Sequence, residues 1–219
     1  MDNYVVNDNP PRRKADRKKI GRFIGYGLLV LVLIILASTC WYTVDDKQQA
    51  VVTTFGKGTS VSDAGIHFKL PFGIQQVQKV DVNVYQKIEL GYRTDNNTEE
   101  GYTLNENESM MITGDYNIVN VEFFVEYKVS DPIKYLFASY EPEMILRNLI
   151  QSQVRNVVGS SSVDSVLTDG KEAIQMQVKE LITDVLDQYD IGLMLTDVKI
   201  QDSEPPTEDV TFAFKEVET

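Results

Sequence analysis

The chain has 219 residues, a net charge of −12, one cysteine and one histidine. So acidic a balance argues against a nucleic-acid binder, whose affinity comes largely from neutralising phosphates. A lone cysteine excludes an intramolecular disulfide. A lone histidine excludes any site built from several histidines, and any His-based triad in which that residue is not the base.

In chain order, residues 1–22 hold seven basic residues against three acidic ones, a net of +4, so the rest carries −16. With Pro10-Pro11 and few apolar positions, this segment is predicted to be a disordered tail attracted to anionic headgroups. Phe23 to Tyr42 follows, twenty residues without a charge. At about 1.5 Å per residue such a helix is roughly 30 Å long, the thickness of a bilayer core. Basic residues precede it (Arg17, Lys18, Lys19, Arg22), Asp45 and Asp46 follow, and Trp41 and Tyr42 sit where aromatic residues line a membrane interface. This predicts a single transmembrane helix over 23–42, a cytoplasmic N-terminus and a large domain on the other face. The apolar run exceeds that of a signal peptide, and Ala37-Ser38-Thr39 is a poor cleavage site. Thr39 is also larger than the residue that normally precedes a lipid-anchored cysteine, so Cys40 reads as a small apolar residue of the helix.

Residues 47–55 read as a strand ended by Gly56 and Gly58. Asp63-Ala64-Gly65 is a turn, and Ile66 to Leu70 a short strand stopped by Pro71. Val80, Val82, Val84, Ile88 and Leu90 alternate as one face. Residues 91–107 are polar and read as an exposed loop. Residues 119–129 alternate most cleanly, with Val119, Val121, Phe123, Val125, Tyr127 and Val129 inward and Asn120, Glu122, Glu126 and Lys128 outward. The Gly114-Asp115 turn is expected to pair this strand with Glu108 to Thr113.

Asp131-Pro132 ends the sheet. Glu141-Pro142 opens a helix with the stripe Leu146, Ile150, Val154 and Val157, closed by Gly159. Ser160-Ser161-Ser162 reads as a linker, and Thr168 as the cap of a second helix with Asp169 in its first turn. That helix carries Ile174, Val178, Leu181, Val185 and Leu186 and ends at Gly192. A strand follows with Met194, Thr196, Val198 and Ile200 on one face. After Pro205-Pro206, Val210, Phe214 and Val217 have the spacing of a starting coiled coil. The fold class is therefore α+β: tail 1–22, transmembrane helix 23–42, mostly β subdomain 43–130, α/β subdomain 131–204, and the start of a C-terminal helix over 205–219.

No motif carries chemistry. His67 has apolar neighbours and reads as a structural strand histidine. Ser160, Ser161 and Ser162 lack the strand-to-helix elbow of a nucleophilic serine. The glycines form no phosphate cradle. The reading is a non-enzyme without catalytic, cofactor-binding or metal-binding residues.

An ordered series of short motifs resembles the SPFH (band 7, prohibitin-like) superfamily, in its bacterial HflK/HflC branch. The series runs Val51-Val52-Thr53-Thr54-Phe55-Gly56-Lys57, Gly65-Ile66-His67-Phe68-Lys69-Leu70-Pro71-Phe72, Met111-Ile112-Thr113-Gly114-Asp115, Asp131-Pro132 and Tyr135-Leu136-Phe137. It continues with Arg155-Asn156-Val157-Val158-Gly159, Val166-Leu167-Thr168-Asp169-Gly170-Lys171 and Gln201-Asp202-Ser203-Glu204-Pro205-Pro206. The chain departs from the family pattern at Tyr116, Gln151, Gln153 and Lys171. The resemblance implies an SPFH domain and a membrane-anchored scaffold, whose alternating HflK-like and HflC-like subunits form rings around the membrane protease FtsH. The family alternative is a stomatin- or flotillin-like organiser of membrane patches with no protease partner. Members of the branch continue past the Ala213-Phe214 region into a long coiled coil, so residues 45–219 alone are expected to self-associate weakly.

Overall fold

A computed structural model describes the backbone of residues 17–95 and 101–206, with side chains from Gly25 onward. α1 (Arg17–Thr39) ends where Ser38 and Thr39 donate their hydroxyls to the carbonyls of Ile35 and Leu36, at 2.8 and 3.0 Å. The expected anchor reaches Tyr42, but Trp41 and Tyr42 already belong to β1 (Trp41–Val44). Phe23, Ile24 and the basic side chains before them lie outside the described side chains, and no helix among the described residues is long and apolar enough to cross a membrane.

β2 (Gln48–Thr54), β3 (Lys57–Ser62) and β5 (Gln75–Asp81) form a three-stranded antiparallel sheet in the order β3-β2-β5. The β2–β3 hairpin closes through Phe55-Gly56, both at positive φ (51° and 83°), as a type I′ turn requires. β3 is absent from the sequence expectation, because Gly58, Thr59 and Ser60 break its apolar alternation. β4 (Gly65–Phe68) pairs with β1, Trp41 opposite Phe68 and Val44 opposite Gly65.

The second sheet holds β6 (Gln86–Leu90), β10 (Ile118–Val129) and β11 (Leu193–Glu204) in the order β11-β10-β6, with β9 (Met110–Ile112) also on β10. Of the alternation expected as one face, Val80 at the end of β5, Val82 just after it, and Ile88 and Leu90 on β6 are buried in one core, so that face passes from the first sheet to the second. The expected loop over 91–107 contains a hairpin of β7 (Tyr92–Thr94) and β8 (Tyr102–Leu104), then a turn of helix, α2 (Glu106–Ser109), with Tyr92 buried. α2 also takes the first two residues of the strand expected from Glu108.

All six inward residues of β10, Val119 to Val129, are buried as expected. Glu122 was expected outside; it is only 8% exposed, because β11 and the β6–β7 bend close over that end of the strand. Asp131 caps α3 (Pro132–Phe137), its carboxylate accepting from the amides of Ile133 and Lys134 at 2.9 and 3.1 Å. α3 packs against β2 and β3 of the first sheet.

α4 (Pro142–Val158) and α6 (Lys171–Tyr189) cover the inner face of the second sheet. Leu146, Ile150, Val154 and Val157 share one core with Ile174, Val178, Ile182, Leu186 and the inward side of β10. On α6, fully buried Ile182 replaces Leu181 in the expected stripe; Leu181 and Val185 only flank the core.

The linker Ser160-Ser161-Ser162 is also structured. Ser162 caps α5 (Val163–Leu167). Thr168 closes α5, donating to the Asp164 carbonyl at 2.6 Å, and Gly170 takes the N-cap position of α6 instead. After α6 the chain turns at Gly192 (φ 75°), where a Cβ would run into the Asp131 carbonyl and the Tyr135 amide. Only glycine fits there.

β11 corrects the expected face. Its register slips between Glu126 and Tyr127 of β10, which pair with Asp197 and Leu195 and leave Thr196 over. This bulge changes the phase of the strand, so Leu193 and Leu195 are buried before it, Val198 after it, and Met194 faces out. β10 and β11 lie on opposite sides of the boundary expected at 130/131, so the main sheet is shared across it. Val210, Phe214 and Val217 lie outside the described residues.

Candidate functional site

The groups that could carry chemistry are engaged structurally. His67 on β4 donates through Nε2 to the Asp63 carbonyl at 2.8 Å and stacks on Tyr42 with ring centroids 5.5 Å apart. Ser160 and Ser161 donate to the carbonyls of Asn156 and Val157, both at 2.8 Å, and Ser162 caps α5. These serines finish one helix and start the next. Among the described residues no group of three or more His, Cys, Asp or Glu could hold a metal ion.

The strongest ionic site ties elements together. Glu108 of α2 accepts from Arg93 at 2.7 Å, from Arg147 of α4 at 3.0 Å and from the Gly91 amide at 3.2 Å. Burial alone would raise its carboxyl. The hydrogen bonds from Arg93, Gly91 and Arg147 outweigh that and hold it at about 2. Asp115 plays a similar part, accepting from the amide of Val163 at 3.1 Å and so pinning the β9–β10 turn to α5.

A second feature is the apolar end of the first subdomain, next to α1. The Cys40 carbonyl that closes α1 accepts from the Lys69 amide at 2.8 Å, which sets Phe68, Lys69 and Leu70 beside the helix. The Phe55 amide donates to the Ile74 carbonyl at 3.0 Å, which joins the Phe55-Gly56 and Phe72-Gly73 turns. Phe55 and Phe72 are 84% and 81% exposed, and Trp41, Ile66, Phe68 and Leu70 are exposed around them. Phe55 and Phe72 have φ of 51° and 65°, a left-handed conformation costly for a bulky side chain. Two strained phenylalanines held out at the end of a domain are better placed to meet another phase than water. In the sequence, Phe55 and Phe72 stand out only as residues of the family motifs. The repeated Phe-Gly pair was the available signal, since the glycine allows the turn and the turn exposes the ring.

The fold and the surfaces it presents define a class. Residues 42–219 match the SPFH domain / Band 7 family, and the chain belongs to that family. It is similar to Protein HflK of Treponema pallidum (strain Nichols), with 33% identity over 87% of this chain and 58% of that protein. It is also similar to Protein HflK of Borreliella burgdorferi, with 30% identity over 87% of this chain and 60% of that protein. The Modulator of FtsH protease HflK of Escherichia coli (strain K12) is 31% identical over 84% of this chain and 39% of its own length. The chain thus spans less than two thirds of each of these relatives.

Proposed function

We propose that the chain is a non-enzymatic, HflK-like scaffold of a bacterial inner membrane. It assembles with an HflC-like subunit to enclose and modulate the membrane protease FtsH. α1 anchors it in the lipid as a single span, residues 1–22 lie in the cytoplasm, and the domain after residue 45 is extracytoplasmic.

The observation that carries this reading is the state of α1. Tyr26 and every residue from Leu28 to Ile35 are exposed around the helix, so nothing among the described residues covers it. A helix apolar on all sides belongs in a core or a bilayer. The exposed aromatic turns at the Cys40 end extend that apolar surface onto the domain. The basic residues before Phe23, and Asp45 and Asp46 after the helix, support that direction. FtsH enters through the name of the Escherichia coli relative, and the HflC-like subunit through the family resemblance. A stomatin- or flotillin-like organiser shares the family but lacks the HflK-named relatives in its favour.

The test is a native pull-down. Full-length protein tagged at the N-terminus, extracted from the membranes of its own cell in mild detergent, is expected to bring down an HflC-like subunit and FtsH in one large complex. Recovery of a large oligomer without either would favour the membrane-patch organiser.

A further inference from the structure

We propose that the cleft between the β6–β7–β8 region and the outer face of β10 and β11 is a binding site for a cationic side chain, the guanidinium or ammonium of a basic segment of a partner protein. The cleft measures about 370 Å³ and is lined by Glu89, Tyr92, Tyr102, Glu122, Phe124 and Asp202, among others. That is room for a side-chain head and a few waters.

Two observations point to a cation. The first is Glu122, which is 8% exposed and whose carboxylate makes no hydrogen bond or ion pair among the described residues. A carboxylate buried this far and left unpaired is costly, and it is normally found with a partner. The groups facing it worsen its position. Asp202 lies directly opposite on β11, and Glu204 two pairs further on, opposite Asn120. On the β6 side, Lys87 is held by Glu89 at 2.7 Å, and the neighbouring Tyr92 is neutral. Burial, then Asp202 and Glu204, push the Glu122 carboxyl up to about 6.

The second observation is the wall of the cleft, where the rings of Tyr92, Tyr102 and Phe124 stand beside Glu122 and Asp202. Among the described residues, Glu122 therefore presents an acceptor without a donor, and Asp202 one that accepts only from the neighbouring Ser203 amide at 2.7 Å, beside these aromatic rings. That is the chemistry of a site for an N–H-rich cation, which gains charge-assisted hydrogen bonds and ring contacts together. The inference rests on this cleft alone and is independent of the anchor and of FtsH.

The experiment titrates N-acetyl-arginine amide into the full chain in detergent micelles and follows the amide resonances of Tyr92, Tyr102, Glu122 and Asp202. N-acetyl-citrulline amide serves as the neutral isostere. Saturable shifts at these residues are expected, with a Kd on the order of 1 mM at pH 7.5. Affinity should fall about tenfold or more with citrulline, with Glu122→Gln and with Asp202→Asn, as loss of a charge-assisted contact implies. It should fall several-fold at pH 5, where Glu122 takes up a proton. The resonance pattern of each variant shows directly that it is folded. No shift at these residues up to about 50 mM, far above the expected Kd, would overturn the proposal. So would equal binding of citrulline, or undiminished binding by both variants.

Discussion

Lys179 of α6 donates a hydrogen bond of 2.6 Å to the backbone carbonyl of Thr196, the residue of β11 left over where Leu195 pairs with Tyr127 and Asp197 with Glu126. A bulge leaves its extra residue outside the ladder, so this carbonyl would otherwise lack a protein partner. The ammonium also lies 3.9 Å from Asp197. Lys179→Met keeps the apolar stem and removes the donor. It is expected to cost about 1 kcal/mol, the net worth of one hydrogen bond at a half-exposed site, measured by chemical denaturation. An unchanged midpoint would mean that water serves the carbonyl equally well.

Phe123 is fully buried at the centre of β10, paired with Leu90 on one side and Ile200 on the other. Phe123→Ala should cost about 3–5 kcal/mol, the range for buried aromatic truncations. Gly192→Ala should be comparably severe for another reason. It forces a left-handed φ on alanine and a Cβ into the Asp131 carbonyl and Tyr135 amide, both of them backbone atoms.

Glu108 and Glu122 should respond to pH with opposite signs. Glu108 titrates at about 2 in the fold against an ordinary 4.5, so its contribution is present above 4.5 and is lost as pH falls toward 2. Glu108→Gln is expected to cost about 2 kcal/mol at pH 7 and progressively less below pH 4. Glu122 is raised to about 6, so its stabilising term is full below 4.5 and is lost as pH rises through 6. Glu122→Gln should therefore stabilise the free chain at pH 7.5, by about 1–2 kcal/mol, with little effect at pH 4.5. Thermal melts of both variants from pH 3 to 8 check the two slopes.

Local periodicity made much of the fold legible. β10 and α4 could be read because each buries one face along its whole length, so the pattern never changes phase. β11 misled because Thr196 is an extra residue, and nothing in the sequence marks where a strand takes one. Glu122 was placed outside by the same alternation that correctly placed Phe123. Its burial comes from β11 and the β6–β7 bend, which are distant in the chain. Ser162 and Thr168 were misassigned because α5 is a five-residue helix, too short to show a period. The Glu122–Asp202 cleft was illegible for the same reason as the sheet order, since its two carboxylates are eighty residues apart.

For topology, protease added to intact spheroplasts is expected to digest the domain after residue 45 and leave a tag at residue 2 intact, from the basic residues before Phe23 and Asp45-Asp46 after α1. Digestion of the tag with protection of the domain would reverse the orientation.

The central claim is that this chain modulates a protease and performs no chemistry itself. Reconstitution in proteoliposomes tests it most directly. Purified FtsH degrades a membrane-protein substrate alone, with the full-length protein and its HflC-like subunit, and the pair is also incubated with the substrate without FtsH. The account predicts that the pair alone leaves the substrate intact and changes the FtsH rate several-fold. An FtsH rate unaffected by the assembled pair, or cleavage by the pair alone, would contradict it.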